Sequence, residues 1–307
     1  MEVLEAKHEK DRHSLPSNGD LLLFIFHPSR SHRDMSQGGH CNLEGREYDS
    51  SALGCWQMCP RKFYYTYVLG LSPSQPSYAM EFGTFMHDSL SARTQLGMKE
   101  ALEVWDKWPY PESEKFTAPR GMSLIKEFDN HYKGEEREVL ANESAFKLAM
   151  PEGSFLTGRL DLIVKQQGMA YVLDYKTKSR VGANFIDEFR PNLQMTCYCH
   201  ACREFIGDCQ GAIVSVINTS DSGKIRFEEQ VTSRSKYELD LFVFDTFPKL
   251  VQDIERAIRT KSFPLFEANC YKYYVMCQYD KLCKLGCTES VMGMFYKREE
   301  TEENEDN

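Results

Sequence analysis

The sequence predicts an α/β fold in which helices flank a central mixed β-sheet. Apolar residues recur at helical spacing between about residues 50 and 132, and they alternate with a period of two between 139 and 175. A further helix, two more strands and a long helix follow before residue 260. Because the resulting order is α, βββ, α, ββ, α, the natural packing is one central sheet with helices against it.

The first part of this fold is predicted to be helical. Leu53, Trp56 and Cys59 fall at helical spacing, Pro60 interrupts them, and an aromatic run follows, which indicates two short helices. Prolines separate the later helical segments, so residues 88–137 are predicted to form a helical insertion. The predicted later segments are 81–96, 100–105 and 121–132.

The middle of the chain carries the strand signals. Period-two alternation predicts an antiparallel meander of three strands, with turns at Pro151–Gly153 and Gln167–Gly168. The three strands cover 139–150, 155–164 and 169–175. The elements that follow are a helix over 192–205, strands over 211–218 and 225–231, and a long helix over 235–260.

The two ends of the chain differ in composition from this central part. Residues 1–47 are polar, rich in His, Ser and Gly, and without sustained periodicity, so we expect a mobile extension. The domain itself is predicted to cover 48–290, followed by an acidic tail over 291–307. Six carboxylates and two basic residues lie between Lys297 and Asn307, so this stretch carries −4 of the net charge of −9. A local basic groove on the domain is compatible with the remaining charge.

Composition excludes several classes of protein. The 307 residues are 41% hydrophobic and 27% charged, which is typical of a globular chain and excludes collagen, coiled-coil and fully disordered proteins. No window reaches the ~18 apolar residues of a membrane span, and the early run Leu21–Phe26 is too short for a signal peptide core. We therefore expect a protein that is not secreted, that has no membrane partner, and that works in the cytoplasm.

Two aspartates in the predicted meander point to a metal site. Asp161 ends the motif Gly158-Arg-Leu-Asp161, and Asp174-Tyr-Lys176 follows thirteen residues later. Both acids lie at the ends of apolar strands joined by a short turn, where two carboxylates can hold a hard cation such as Mg²⁺. Lys176 points to the same face of its strand as Asp174 because side chains alternate. An ammonium there can orient a nucleophile and stabilise charge on a phosphate.

Two further patterns add candidate residues. His87 lies one helical turn beyond Gly83, and an imidazole aimed from a helix can complete an oxygen-rich metal site. Gln194 and Tyr198 are spaced i and i+4 on one helix face, so both can contact the same site or a nucleic-acid strand. Taken singly, each pattern is also found in residues that only support structure.

The eleven cysteines form a second constellation. An odd count in a cytosolic chain points to metal or cluster ligation more than to disulfides. Cys270, Cys277 and Cys283 lie in the segment 264–287, and Cys59 lies more than 200 residues earlier. Four thiolates suit an iron-sulfur cluster or a tetrahedral zinc ion, and the lack of paired C-x2-C knuckles favours the cluster. A set of buried free cysteines is the alternative. Spare ligand candidates are Cys55 and Cys287.

Taken in order, these motifs resemble those of the PD-(D/E)xK nucleases of the RecB and AddB type, which include CRISPR-associated and phage exonucleases with an iron-sulfur cluster. The resemblance covers about residues 50–287. The matching elements are Cys59-Pro-Arg-Lys-Phe-Tyr-Tyr, Gly83-x3-His87, Glu143, Gly158-Arg-Leu-Asp161, Asp174-Tyr-Lys176-Thr, Gln194-x3-Tyr198 and the closing cysteine group. The resemblance implies a restriction-endonuclease-like core for the predicted sheet and helices.

The resemblance also implies roles for individual residues. The ligands of a catalytic Mg²⁺ or Mn²⁺ would be His87, Asp161, Asp174 and the backbone carbonyl of Tyr175. Lys176 would position the attacking water. Gln194 and Tyr198 match an accessory catalytic motif near the DNA strand. The ligands of a 4Fe-4S cluster that clasps the two ends of the domain would be Cys59, Cys270, Cys277 and Cys283. Further candidates are Glu143 at an acidic strand position, Arg61 and Lys62 as phosphate contacts, and Cys287 as a replacement cluster ligand.

The function that the resemblance implies is metal-dependent exonucleolytic hydrolysis of DNA, single-stranded or ended duplex. The biological setting would be recombination, repair, phage replication or CRISPR adaptation. The sequence has no G-x4-GK[ST] motif, so any unwinding would come from a helicase or recombination partner. The alternatives are a catalytically silent DNA-binding or scaffold subunit with the same fold, and a zinc-binding protein of unrelated function.

Overall fold

The structure is a computed structural model that describes residues 41–75, 77–111, 115–135, 137–220, 226–272 and 275–298. In chain order its strands are β1 (Cys41–Asn42), β2 (Glu47–Tyr48), β3 (Leu71–Pro73), β4 (Glu138–Ala149), β5 (Phe155–Gln166), β6 (Met169–Lys178), β7 (Gly211–Asn218), β8 (Phe227–Thr232), β9 (Tyr271–Lys272), β10 (Val275–Met276) and β11 (Tyr296–Arg298). Its α-helices are α1 (Ser50–Met58), α2 (Pro60–Phe63), α3 (Tyr78–Gln95), α4 (Met98–Glu103), α5 (Ala118–His131), α6 (Leu193–Ile206), α7 (Lys236–Leu241), α8 (Phe247–Thr260), α9 (Asp280–Leu285) and α10 (Glu289–Phe295).

One seven-stranded mixed sheet forms the centre of the fold. The strand order is β1-β2-β5-β6-β7-β8, and β4 pairs with β5. The strands β4, β5 and β6 form an antiparallel meander, whereas β7 runs parallel to β6 because α6 provides the crossover between them. The predicted fold class, a mixed sheet with flanking helices, is therefore confirmed.

Helices cover both faces of the sheet. Apolar residues of α1, α6 and α8 share one core with one face, and those of α3 and α5 share a second core with the other face. A third, smaller core joins Tyr65 and Leu71 to Tyr279, Leu282 and Tyr296 near the C-terminal end. None of the helices in the described ranges is long and apolar enough to cross a membrane.

Local sequence explains where the site-bearing helices begin. The Asn192 side chain accepts a hydrogen bond of 3.1 Å from the Met195 N–H and so caps α6. The Asp49 side chain accepts a bond of 2.7 Å from the Ala52 N–H and caps α1 in the same way. These caps satisfy backbone donors that have no partner within a helix.

The ends of the domain differ from the predicted boundaries. Residues 41–47 were expected in a mobile extension, but β1 and β2 add to the sheet, where Tyr48 is fully buried. Residues 291–298 were expected in an acidic tail, but α10 continues to Phe295 and β11 pairs with β3. Short pairing segments carry little periodicity of their own, so the sequence does not indicate these strands. The rest of each predicted end, 1–40 and 299–307, lies outside the described residues.

The long helix predicted over 235–260 is divided. It consists of α7, a π-helical turn over Phe242–Thr246, and α8. Pro248 lies in the first turn of α8, and its ring nitrogen cannot donate the hydrogen bond that a continuous α-helix requires. The wider π turn absorbs this interruption without a loop.

Gly158 on β5 gives a first testable consequence of the sheet packing. Gly158 pairs with Phe146 on β4, and a Cβ atom at Gly158 would lie 2.6 Å from the Phe146 ring. We expect Gly158→Ala to lower the free energy of unfolding by about 1–3 kcal/mol, because the ring must move within a packed core. Urea unfolding measures this change.

The matched control is Gly182→Ala. A Cβ atom there would meet nothing within 4 Å, so the same chemical change should leave stability within about 0.5 kcal/mol of wild type. Equal stability of the two variants would contradict the proposed packing of Phe146 over Gly158.

Candidate active site

The two predicted aspartates lie where β5 and β6 separate. The ladder between these strands runs from Gln166–Met169 to Leu162–Leu173, and it ends there. Asp161 and Asp174 are the first residues beyond the last pair on each strand. We call this gap the fork. Both aspartates lie at this point of the sheet, and the charge of Asp161 acts on Asp174.

The regular alternation of side chains along β5 is interrupted at Asp161. Leu160 packs in the core beneath α6, whereas Leu162 packs in the core beneath α3, although alternation would place both on one face. The Asp161 carboxylate accepts a hydrogen bond of 2.9 Å from the Tyr175 N–H across the fork. A backbone donor on the open side of β6 is thereby satisfied by a side chain of β5.

Asp174 and Lys176 form a buried ion pair on one face of β6. The Lys176 Nζ lies 2.9 Å from Oδ1 and 2.7 Å from Oδ2 of Asp174, whose side chain is 1% exposed. Burial raises the pKa of Asp174 above its ordinary value, and the Lys176 charge opposes this in part. Although Oδ2 contacts the ammonium, it is buried without a hydrogen bond of normal geometry. This oxygen has unused capacity for a cation.

His87 reaches the fork from α3. Its Nδ1 lies 3.2 Å from Asp161 Oδ2. Burial lowers the pKa of His87, but the charge and hydrogen bond of Asp161, together with the Asp174 charge, raise it by more, so the net shift is upward. Burial raises the pKa of Asp161, but the charge and hydrogen bond of His87, the Lys176 charge and the Tyr175 N–H together lower it by more, so the net shift is downward. The pair therefore favours imidazolium beside carboxylate.

Gly83 explains how α3 comes close enough to β6. A Cβ atom at Gly83 would lie 3.1 Å from Thr177 Oγ1, which is tighter than ordinary van der Waals contact. A glycine one turn before His87 thus allows the close helix–strand approach that delivers the imidazole. This is the physical basis of the Gly83-x3-His87 spacing.

Gln194 and Tyr198 approach from α6, on the opposite side of the sheet from α3. The Gln194 Nε2 donates a hydrogen bond of 3.1 Å to the Tyr198 hydroxyl. Burial raises the pKa of Tyr198 well above its ordinary value, and the charges of Asp174 and Asp161 add to the effect. The hydroxyl is therefore a neutral donor that lies close to both carboxylates.

Glu143 and Arg159 are two further charged residues at the fork. Glu143 lies on β4 opposite Asp161, and burial followed by the Asp161 charge raises its pKa to about 7. Arg159 Nη1 lies 3.6 Å from Glu143 Oε2. The sequence indicated Glu143 without a role, and Arg159 was not recognised as a candidate, although it lies inside the Gly158-to-Asp161 motif.

The donor set at the fork suits a hard divalent cation. Across the described residues, no three side chains of His, Cys, Asp and Glu lie close enough together to hold an ion as they stand. Each aspartate is instead paired with its own cation, His87 or Lys176. Two carboxylates and an imidazole are nevertheless ligand types that Mg²⁺ or Mn²⁺ accepts. These side chains would have to move to reach one ion.

The two segments that carry the predicted cluster ligands, one around Cys59 and one over 264–287, contact each other near the C-terminal end of α1. The Arg61 N–H donates to the Pro264 carbonyl at 3.1 Å, and the Asn269 side-chain amide donates to the Met58 carbonyl. A third link is the Thr66 hydroxyl, which donates to the Tyr279 hydroxyl at 2.9 Å. The C-terminal segment is therefore fastened to α2 and the turn that follows it.

The four predicted cysteine ligands act on one another electrostatically in this region, but as they stand they do not form a group that could hold a metal ion. Burial raises the pKa of Cys283, and the charges of Cys277, Cys270 and Cys59 raise it further. Burial, Cys277 and Cys59 raise the pKa of Cys270 in the same way. The carbonyl of Cys270 accepts a hydrogen bond of 2.8 Å from the Cys277 N–H, which closes the loop between these two residues.

The remaining candidates border this cysteine group. Burial raises the pKa of Cys287, and the other charges acting on it come from Glu289, Arg298 and Arg61 and not from thiols. Its Sγ lies 3.6 Å from the Met292 sulfur. Cys55 is closer to the group, since the charges of Cys59 and Cys277 act on it. The Lys62 ammonium lies 3.9 Å from the Met58 sulfur, so it borders the same segment.

Comparison with known proteins identifies the superfamily of the chain. The family model described as the PD-(D/E)XK nuclease superfamily matches residues 50–284. No curated protein sequence matches the chain significantly.

Two of the solved structures that align with the chain are as follows. A protein from Eubacterium rectale described as a candidate exonuclease aligns with a TM-score of 0.47 at 10% identity, covering 84% of this chain and 98% of its own. A protein designated SSO0001 aligns with a TM-score of 0.36 at 14% identity, covering 81% of this chain and 90% of its own. Because the family match spans the fork, both core layers and most of the cysteine segment, the chain belongs to the PD-(D/E)XK nuclease superfamily.

Proposed function

We propose that this protein is a metal-dependent exonuclease that hydrolyses phosphodiester bonds at DNA ends. The observation that carries the proposal is the convergence of Asp161, Asp174, Lys176 and His87 at the fork. Membership of a nuclease superfamily gives the class of reaction. The DNA substrate, the preference for ends and the metal requirement belong to the proposal.

The proposed metal ligands are Asp161, Asp174, the backbone carbonyl of Tyr175 and His87, which would bind in its neutral form after release of its proton. A bound Mg²⁺ or Mn²⁺ would neutralise phosphate charge and make a water molecule a better nucleophile. The buried aspartates supply the negative charge that selects a divalent cation over a monovalent one. Asp161 also holds the Tyr175 backbone in place through its 2.9 Å hydrogen bond, which orients the neighbouring carbonyl.

Lys176 is the proposed positioning group for the attacking water and a source of positive charge for the phosphate. Its ammonium has three donors, and Asp174 does not occupy all of them. The side chain is about one-quarter exposed, so it can reach a substrate at the opening of the fork. Gln194 and the neutral Tyr198 hydroxyl are proposed to contact the DNA strand that passes this opening.

The proposed role of the cysteine group is to hold a structural 4Fe-4S cluster. Cys59, Cys270, Cys277 and Cys283 would be its ligands, and zinc is the alternative occupant. In a four-iron cluster each thiolate binds a different iron, so the sulfur atoms stand further apart than around one zinc ion. The segments that carry these thiols are already fastened by hydrogen bonds to backbone carbonyls, which supports a site of this kind.

The proposed setting is the cytoplasm of a bacterial or phage-infected cell. There the enzyme would act in recombination, repair, phage replication or CRISPR adaptation. Because the sequence carries no nucleotide-binding helicase motif, a helicase or recombination protein is the proposed partner for duplex unwinding.

The test compares DNA molecules with and without ends. Protein purified without oxygen is incubated with Mg²⁺ or Mn²⁺ and either end-labelled linear DNA or covalently closed circular DNA of the same sequence, each single- and double-stranded. We expect progressive shortening of a linear substrate, no loss of the circles, and no cleavage in EDTA. The order in which 5′ and 3′ labels are released gives the polarity.

Two results would contradict the proposal. Cleavage of circular and linear DNA at equal rates would indicate an endonuclease. Binding of DNA without any cleavage, by protein that carries its cluster, would indicate a catalytically silent binding subunit.

A further inference from the structure

Glu143 has an unusual backbone conformation for a residue within a strand. Its φ is +46°, in the left-handed region that favours glycine. The other non-glycine residues with positive φ in the described ranges are Arg46 and Gln167, which lie in turns, and Lys261, which caps α8. At those three positions a turn or a helix end explains the conformation, whereas Glu143 lies in the middle of β4.

The position of Glu143 relates this strain to the fork. The neighbouring pairs are Asn142–Leu162 and Ser144–Leu160, so Glu143 lies opposite Asp161. It is therefore next to the point where the pleat of β5 breaks. Strained residues of this kind persist only where the surrounding structure holds them, and they cluster at functional sites.

The charges that face Glu143 come from two elements. Asp161 and Arg159 lie on β5, and His87 and Asp88 lie on α3. Arg159 makes an ion pair with Glu143 at 3.6 Å, and the Glu143 side chain is 24% exposed. The carboxylate is thus held among charged groups of the site, and Arg159 is its cationic partner.

Arg159 retains capacity for a second anion. Its side chain is 41% exposed, and one carboxylate contact leaves several of the five guanidinium donors unused. It lies on the stretch of β5 between the β2 pairing at Phe155–Leu156 and the β6 pairing that starts at Leu162. This stretch forms one wall of the fork, so the guanidinium is beside the opening that a substrate would enter.

We propose that Arg159 binds a backbone phosphate of DNA at the fork and that Glu143, held by its strained backbone, positions the Arg159 guanidinium for this contact. A guanidinium is suited to this task because its donors match the oxygens of a phosphate. The proposal rests on the proposed function, since it names a substrate contact of the same site. It gives Glu143 and Arg159 specific roles, one in positioning and one in phosphate binding, which the motif resemblance leaves open.

The first experiment measures DNA binding without cleavage. Fluorescence anisotropy in EDTA follows a labelled single strand and a labelled duplex over a series of salt concentrations. We expect Arg159→Gln to weaken binding by about tenfold and to reduce the slope of log affinity against log salt by about one, because one phosphate contact is lost. Lys249→Gln is the matched control, since it removes one positive charge from a 61% exposed position on α8.

The second experiment tests whether Glu143 acts through Arg159. If it does, Glu143→Gln weakens binding by less than Arg159→Gln, and the double variant binds no more weakly than Arg159→Gln alone. Additive losses would overturn the positioning role of Glu143. If the slope of log affinity against log salt is the same for Arg159→Gln as for wild type, Arg159 does not bind a phosphate.

The third experiment tests the strain by thermal unfolding. At an ordinary strand position alanine is more stable than glycine, but at a left-handed position the order reverses. We expect Glu143→Gly to melt about 2–4 °C above Glu143→Ala, while both bind DNA more weakly than wild type. A lower melting temperature for the glycine variant would overturn the strained conformation.

The outcomes also separate this proposal from the proposed function. If wild-type protein binds and cleaves DNA but Arg159→Gln behaves like Lys249→Gln, only the Arg159 phosphate contact fails. If wild-type protein neither binds nor cleaves DNA, both proposals fail together.

Discussion

Replacement of Lys176 by methionine is expected to lower the rate constant for DNA cleavage by about 10³-fold or more while the protein stays folded. Methionine keeps the length of the side chain and removes the ammonium, so the loss isolates its charge and hydrogen bonds. The variant leaves Asp174 without its cation. Because burial already raises the pKa of Asp174, that carboxyl can take up a proton, which limits the loss of stability.

Asp174→Asn tests the other member of the same ion pair. Asparagine has nearly the same shape, and a neutral group is easier to bury than the carboxylate in a position that is 1% exposed. We expect stability equal to or above that of wild type together with a loss of cleavage of similar size. A more stable but inactive variant would show that Asp174 serves the reaction and not the fold.

The measurements are single-turnover cleavage of end-labelled DNA and thermal unfolding of each variant. Lys165→Met is the matched control, because it removes a lysine from the same meander at a 45% exposed position paired with Glu138. We expect the control to cleave DNA within about twofold of wild type. If Lys176→Met or Asp174→Asn still cleaves DNA at the wild-type rate, the residues at the fork do not take part in the reaction.

The fold could be predicted from the sequence more completely than the site. The meander was recognisable because its strands are long, and their residues alternate between a core and a less buried side. Asp161, Asp174 and Lys176 could be assigned to one place because a short turn joins their strands. Most of the longer helices and strands followed from the same periodicity, whereas the π turn before α8, the short strands and the C-terminal helices α9 and α10 did not.

Several features of the site depend on tertiary geometry and leave little trace in the sequence. The fork exists because β5 pairs along one edge with β2 near its start and with β6 near its end. No local sequence pattern indicates this change of partner. The positive φ of Glu143 has no signal either, since glutamate is not a residue that favours that region. Arg159 could have been suspected from its place two residues before Asp161, but only the structure supplies its contact with Glu143.

Replacement of Cys59 by serine is expected to have the largest effect on stability. Cys59 and Cys270 are 211 residues apart in the chain, so a cluster that joins them closes a very long loop. By the chain-entropy relation for cross-links, closing a loop of this length stabilises the folded state by about 5 kcal/mol. We expect the melting temperature of Cys59→Ser to fall by about 10 °C, with loss of iron and acid-labile sulfide from the purified protein.

Serine at position 59 removes the thiolate without weakening the helix beside it. Cys59 is the residue before α2, and serine is similar in size and favoured at helix N-termini, so α2 itself should keep its stability. Cys287→Ser is the matched control, because Cys287 is an exposed cysteine of the same C-terminal region whose shifted pKa does not depend on the other thiols. It should retain both the cluster and the melting temperature of wild type.

Metal analysis of the wild type decides between the occupants of the cysteine group. Iron and sulfide in equal amounts, about four of each per chain, would support the cluster, whereas one zinc ion per chain would support the alternative. If Cys59→Ser melts at the wild-type temperature, the cysteine group does not hold the two ends of the domain together. The small core of Tyr65, Tyr279 and Tyr296 would then fasten the C-terminal segment by packing alone.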